Sequence, residues 1–185
     1  MAKLVSKTYG DALFEIAQET GRMDDFYEEA LGVRTVLEEN TQISKLMNHP
    51  KIVKEEKIKI IENIFKGRVS EEMTGLMRMI VDKGHFMEFD SVLDYFINEV
   101  KESKHIGTAY VTTAMELTDK QKADIVAKLI ETTSYVEFEM HYEVDAAIIG
   151  GMVIRIKDRV VDSSIRTKIY GLSRELSKIQ LKVGE

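Results

Sequence analysis

Paired glycines can cradle a phosphate, so Gly150-Gly151 is the first place in this chain to look for chemistry. A cradle of that kind needs glycines that open onto a helix N-terminus, often followed by Lys-Ser/Thr. Here the pair leads into an apolar strand, and no Gly-Lys-Ser/Thr follows. It reads instead as a bulge or a close backbone approach. The four histidines, His49, His85, His105 and His141, lie far apart. None sits in His-Glu-x-x-His or beside carboxylates at ligand spacing, so no metal centre is expected. Glu137, Glu139 and Glu143 share one strand face, which reads as a solvated face that discourages edge pairing rather than as a cation site. The chain has no cysteine and no Gly-x-Ser-x-Gly, and Ser163-Ser164 reads as a helix cap. The expectation is therefore no catalytic residue, no cofactor and no metal.

The elements that carry these residues change character along the chain. The first hundred or so residues show helical spacing. Val5, Tyr9, Leu13, Ile16 and Ala17 mark a helix over 5–19, which Gly21 ends. Phe26, Ala30, Val33 and Leu37 mark a second, and Thr41 is a candidate N-cap for a short third through Met47. Pro50 biases His49 away from helical angles and sets a boundary. Ile58, Ile61, Ile64 and Phe65 mark a fourth helix, closed by Gly67. Ser70-Glu71-Glu72 starts a fifth, with Leu76, Met79 and Ile80 on its apolar face and Gly84 at its end. Phe89, Val92, Leu93, Phe96, Ile97 and Val100 mark a sixth, through about Ser103. Six short helices with short connections describe a bundle.

Beyond Ser103–His105 the period changes. His105–Thr113 reads as a strand, and Thr118-Asp-Lys-Gln121 as a capping box opening a helix through Ile125, Val126, Leu129 and Ile130. Val136, Phe138, Met140, Tyr142 and Val144 then alternate with Glu137, Glu139, His141 and Glu143. That is a strand with one buried and one wet face. Ile148–Ile156 and Arg159–Val161 read as further strands joined by a turn at Lys157-Asp158. A last helix, capped by Ser163 or Ser164, runs past Ile169, Leu172 and Leu176. The predicted class is α+β: a six-helix bundle over 1–104, then a smaller α/β domain over 105–185.

Composition narrows the function classes. With 185 residues, 44% hydrophobic and 31% charged, the chain can form one or two folded domains and is not of disordered composition. No apolar run reaches the length of a membrane span, and Lys3, Lys7, Asp11 and Glu15 interrupt any secretory signal. No Arg/Ser-rich transit segment stands at the start, which favours a bacterial or already processed protein. A net charge of −6 argues against a general nucleic-acid binder. Residues 1–104 carry 15 Lys and Arg against 20 Asp and Glu, whereas 105–185 are near neutral with 11 against 12. Lys51, Lys54, Lys57 and Lys59 form the one candidate basic stripe, diluted by Glu55 and Glu56. They carry the alternative reading, a helical-bundle RNA-binding or transcription adapter.

Small residues inside helices are the remaining oddity. Gly10 and Ala12 interrupt the first helix and Gly75 the fifth, at a cost of about 1 kcal/mol for each glycine relative to alanine. Either the bundle packs tightly there, or a helix from another molecule approaches. Both helices are apolar over a broad arc, and Met-rich faces suit adaptable docking as well as cores.

The segment from Asp145 to Arg166 resembles the C-terminal signature of the delta subunit family of F-type ATP synthases, called oligomycin-sensitivity-conferring protein in mitochondria. Gly150, Gly151, Asp158, Val160, Val161, Asp162, Ser163, Ser164 and Arg166 stand in the places of that signature. Lys7-Thr8-Tyr9-Gly10-Asp11-Ala12-Leu13-Phe14 is similar to the family's opening helix, with Gly10 where alanine is usual. Val81-Asp82-Lys83-Gly84-His85 resembles its Glu/Asp-x-Gly-Arg turn with His85 in place of arginine, and Ala114–Thr118 the start of its C-terminal domain helix. The resemblance implies a non-catalytic stator subunit without cofactor, present as a single copy in the complex. It also implies a peripheral position on the cytoplasmic face of a bacterial cell membrane, with neither membrane insertion nor nucleic-acid binding. An alpha-subunit N-terminal helix would dock between the first and fifth helices, on Tyr9, Ala12, Leu13, Ile16, Leu76, Met79, Ile80 and Lys83. The b subunits of the peripheral stalk would meet the C-terminal domain around Gly150, Gly151, Arg155, Asp158, Asp162, Ser164 and Arg166.

Overall fold

A computed structural model describes residues 2–182. The chain divides into two compact units, Met1–Ser103 and Lys104–Glu185.

The first unit is all helical: α1 (Ala2–Glu19), α2 (Met23–Glu39), α3 (Thr41–Met47), α4 (Lys54–Phe65), α5 (Glu71–Asp82) and α6 (Phe89–Ser103). A single 3-10 turn, Phe86–Glu88, leads into α6. The six expected helices are all present. α1 and α2 both pack on α6, and α4 packs on α5. Each helix buries one stripe, and the stripes meet in one core. Phe26, Ala30 and Val33 of α2 join Met73, Met77 and Ile80 of α5 and Phe89, Val92, Leu93 and Phe96 of α6, all at most 1% exposed. The boundaries follow from local chemistry. The Ser70 hydroxyl accepts a hydrogen bond from the Met73 N–H at 3.3 Å and so caps α5, and Glu29 fixes that serine by accepting from its N–H and its Oγ. Thr41 is not the cap of α3 but its first helical residue. Asn40 spends its side-chain amide on the Val36 carbonyl, 2.9 Å away, finishing α2, and the chain turns directly into α3.

The second unit is a four-stranded mixed sheet with two helices. Its elements are β1 (Ile106–Thr113), α7 (Asp119–Thr132), β2 (Glu137–Val144), β3 (Met152–Ile156), β4 (Arg159–Asp162) and α8 (Ile165–Lys182). The strand order is β2-β1-β3-β4. β1 and β2 run parallel and are joined through α7, whereas β3 is antiparallel to β1 and forms a hairpin with β4. The predicted capping box is formed: Thr118 Oγ1 accepts from the Gln121 N–H, and Gln121 Oε1 accepts from the Thr118 N–H at 2.9 Å. Ile125 and Leu129 of α7 close the core over Ala109, Val111 and Phe138.

Two expectations about strands change. The strand read as Ile148–Ile156 starts only at Met152. Asp145 accepts from the Ala147 N–H at 2.9 Å and winds Ala146–Ile148 into a 3-10 turn, while Ile149 and Gly151 adopt φ of +67° and +77°. Left-handed angles cannot continue a strand. The alternation of β2 holds, but its apolar face is covered only in part. Phe138 is buried, whereas Val136 and Val144 are exposed, because β2 is an edge strand and the small core covers only its first half.

Candidate functional site

The first candidate surface lies on α1 and α5, which touch each other. Their eight predicted docking residues divide between core and surface. Leu13 and Ile80, at 1% and 0% exposure, belong wholly to the core, and Leu76 is nearly buried at 9%. Tyr9 is half-buried. Ala12, Ile16, Met79 and Lys83 reach solvent. The other apolar residues on the buried stripe of α5 (Met73, Leu76, Met77, Ile80 and Val81) are all covered, so Met79 at 53% exposure is the exception on that helix. Lys83 caps the C-terminus of α5, ahead of Gly84 at φ +73°.

The two mid-helix glycines part company. A Cβ on Gly10 would run into Cδ1 of Tyr95 on α6. That ring is held in place, because the Tyr95 phenol donates to Asp11 Oδ1 at 2.8 Å. The bond to Asp11, helped by burial, pushes the phenol pKa up to about 12. Gly10 therefore serves packing inside the bundle. Nothing lies within 4 Å of a Cβ on Gly75, which lines a cleft of about 510 Å³ between α4 and α5 with Glu62, Lys66, Thr74 and Arg78.

The second candidate surface surrounds the signature of the second unit. Most signature residues tie the loop before β3 to the start of α8. A Cβ on Gly151 would lie 2.5 Å from the Ser163 carbonyl oxygen, and one on Gly150 would lie 2.7 Å from Ile165 Cδ1. Gly151 is thus needed for the close approach of backbone and for its φ, whereas a side chain at Gly150 would only have to push aside the end of Ile165. The Gly150 carbonyl accepts from the Ile165 N–H at 2.9 Å, and the Met152 carbonyl accepts from both N–H and Oγ of Ser163. Ser164, 2% exposed, caps α8 by accepting from the Thr167 N–H at 3.2 Å. Asp162 accepts from Thr167 Oγ1 at 2.7 Å and from the Ser164 N–H at 2.8 Å. These bonds, Thr167 first, hold its carboxyl below the usual carboxylate range. Such a carboxylate is a fixed cap and not a proton carrier.

Arg155, Asp158 and Arg166 remain exposed. Asp158 sits in the two-residue turn of the hairpin, after Lys157 at φ +51°. Arg155 lies over the Tyr110 ring at 4.7 Å, and Tyr110 stacks on His141 at 4.8 Å, making a row across β3, β1 and β2 on the solvent face of the sheet. Sequence reasoning missed that row, because register alone brings these residues together. It also did not assign the apolar residues of α8 to a surface. Ile165, Ile169, Tyr170, Leu172 and Leu176 are 42–64% exposed.

Among the described residues there is no cluster of His, Cys, Asp and Glu able to hold a metal ion, and no helix long and apolar enough to cross a membrane. The lysines of the RNA-binding alternative reach solvent but are mixed with acidic groups. Lys54 is tied to Asp82 at the end of α5, and Glu55 and Glu56 stand between it and Lys57.

A family model described as ATP synthase delta (OSCP) subunit matches residues 5–176. The ATP synthase subunit delta of Lachnoclostridium phytofermentans is 54% identical over 98% of this chain and 100% of that protein. That of Desulforamulus reducens is 33% identical over 94% of this chain and 96% of that protein. In fold, the chain is similar to one from the cryo-EM structure of the Toxoplasma gondii mitochondrial ATP synthase hexamer, with a TM-score of 0.75 at 14% identity, covering 92% of this chain and 96% of that one.

Proposed function

Because the chain belongs to the ATP synthase delta (OSCP) family, whose members are non-catalytic subunits of the F-type ATP synthase stator, we infer that its two units grip two different partners. The RNA-binding alternative is set aside, since the family match spans nearly the whole chain and no basic stripe supports it. The helical unit, residues 1–104, takes the amphipathic N-terminal helix of an alpha subunit of the catalytic head. The α/β unit, residues 105–185, takes the end of the peripheral stalk formed by the b subunits. The subunit sits peripherally, on the cytoplasmic face of a bacterial cell membrane, as one copy per complex.

The observation that carries the first contact is the exposure of Met79 on a helix that otherwise buries its apolar stripe, together with Ile16 at 38% exposure on the neighbouring α1. A thioether on an open apolar patch adapts to a helix laid across it. Ala12 leaves room for that helix, and Lys83 offers it a charge at the rim. Leu13 and Ile80 shape the patch from beneath. The glycine and cap residues of the second unit act in the same indirect way, by fixing the start of α8.

The function is mechanical. Rotation of the central shaft exerts torque on the head, and an adapter bound at two places holds the head still. Once one site is engaged, the second binds intramolecularly, so modest pairwise affinities suffice. Loss of the subunit therefore uncouples ion flow from ATP synthesis while the free head still hydrolyses ATP.

The test is a titration of the chain with a peptide of the first twenty or so residues of the cognate alpha subunit, labelled with Trp, since the chain has none. One-to-one saturable binding, weakened about tenfold or more by Met79→Asp in protein that still folds, is expected for loss of a central apolar anchor. Absence of binding at high micromolar peptide, or binding indifferent to Met79→Asp, would overturn the assignment of the groove.

A further inference from the structure

The apolar residues of α8 follow a stricter rule than a surface helix needs. Ile165, Ile169, Leu172 and Leu176 are separated by 4, 3 and 4 residues, and the sequence continues with Ile179 three further on. A helix that packs on its own domain shows a wider stripe, because e or g positions join a and d. A strict 4-3-4-3 seam is the narrow pattern of a helix wound on another helix. None of the four residues from Ile165 to Leu176 is buried, with exposures of 42, 52, 60 and 63%. The core of the second unit is completed by α7 and the strands, without α8.

We infer that α8 is one strand of a heterotypic coiled coil, and that the partner is a helix whose own heptad seam is flanked by Asp and Glu. The inference rests on the stator reading of the second unit, and it names the surface and the chemistry of the contact there. With Ile165 and Leu172 at d and Ile169 and Leu176 at a, the flanking e and g positions include Arg166, Lys168 and Glu175. Over Ile165–Lys182 the sequence holds five basic residues and one acidic one, a charge of +4 in a chain whose net charge is −6. Of these, Arg166, Lys168 and Lys182 stand at e or g with Glu175, so acidic flanks on a partner pair with the flanking cations, which a second copy of α8 would not supply. At about 1.5 Å per residue, the helix offers a seam of about 27 Å over its 18 residues. Gly171 in its middle weakens it alone, so the partner stabilises the helix as well as binding it.

The experiment mixes the full chain with two synthetic peptides of four heptads, both with Ile at a and Leu at d. One carries Glu at every e and g position, and its twin carries Lys there. The Glu peptide should bind one to one, slow amide exchange along α8, and bind more weakly as salt is raised. The Lys twin should bind at least about tenfold more weakly. Leu172→Glu should abolish binding with no change in melting temperature. Equal binding of the twins, or binding that survives Leu172→Glu, would overturn the proposal. So would a dimer of the free chain that Leu172→Glu dissolves, since the seam would then belong to a second copy. Membranes stripped of the subunit separate this from the stator reading. If Leu172→Glu restores coupled ATP synthesis as well as the unsubstituted chain does, the seam is wrong and the stator stands. If the unsubstituted chain restores nothing, the stator reading itself fails.

Discussion

The two units spend their apolar residues in opposite ways. In the helical unit most large apolar side chains turn inward: Phe26, Phe89 and Phe96 are at most 1% exposed, and among the large apolar residues that reach solvent are Met79 and Ile16, with Leu4, Val53 and Met87 elsewhere on the unit. In the α/β unit the core is small, and Val136, Val144, Val160, Val161 and the apolar residues of α8 face solvent. The first unit is finished before it meets a partner and offers a limited patch. The second leaves a larger share of its apolar residues open to solvent.

Substitution at one residue in each unit should test that contrast most strongly. Phe96 is fully buried at the centre of α6, so Phe96→Ala should cost about 3–5 kcal/mol through lost transfer energy and a cavity. Leu172 is 60% exposed, and Leu172→Ala should stay within about 0.5 kcal/mol in the free chain. Urea denaturation of both variants, with hydrogen exchange read separately on peptides from α6 and α8, gives the comparison. A cost for Leu172→Ala approaching that of Phe96→Ala would mean that α8 has a place in a core after all, and the contrast would fail.

The two helical glycines pose the same question within the first unit, at a smaller scale. Alanine at position 10 must displace the Tyr95 ring and strain its bond to Asp11, so Gly10→Ala should cost about 1–3 kcal/mol as overpacking. Alanine at position 75 meets open space, so Gly75→Ala should stabilise the chain by up to about 1 kcal/mol through helix propensity. Matching losses in urea midpoint would show that Gly75 is also held by packing.

How far the sequence could be read follows from the range of the interactions involved. The helices, the capping box at Thr118, the Ser70 cap and the alternation of β2 are set by neighbours three or four residues away, or one or two along a strand, and all were legible. Ile148 and Ile149 misled because they are apolar and β-branched, while the side chain of Asp145 and a left-handed angle at Ile149 end any strand there. Gly10 stayed ambiguous because the residue it makes room for, Tyr95, lies far along the chain. The apolar stripes of α1 and α5 were legible, but Leu13 and Ile80 lie on their buried side, a division that depends on which helices pack on which. The heptad spacing of α8 was present in the sequence, and its meaning emerged only once every residue of that spacing from Ile165 to Leu176 proved exposed.

Acid should produce the smallest effect, and the two units should answer it with opposite signs. Asp162 is fully exposed, and its carboxyl lies below the ordinary value of 3.8 because Thr167 and Ser164 bond to it. A lowered pKa means a contribution that is complete above about pH 4 and lost as pH falls through the lowered value. The first turn of α8 should therefore loosen only in strong acid, and Asp162→Asn should remove that part of the pH dependence. Asp90, at the start of α6, is shifted upward, by burial first and then by Asp94 and Glu38, with Arg34 opposing. A raised pKa reverses the sign: the favourable contribution is complete below 3.8 and disappears as pH rises through the raised value. Asp90→Asn should then relieve the first unit slightly at neutral pH, where Asp162→Asn weakens the second. Amide chemical shifts of Thr167 and of residues around Asp90, followed from pH 7 to pH 3, separate the two titrations. If both carboxyls titrate together near 4, the polar tie at the start of α8 is looser than its hydrogen bonds imply, and the surroundings of Asp90, with Asp94 and Glu38 beside it, do not hold its carboxyl up.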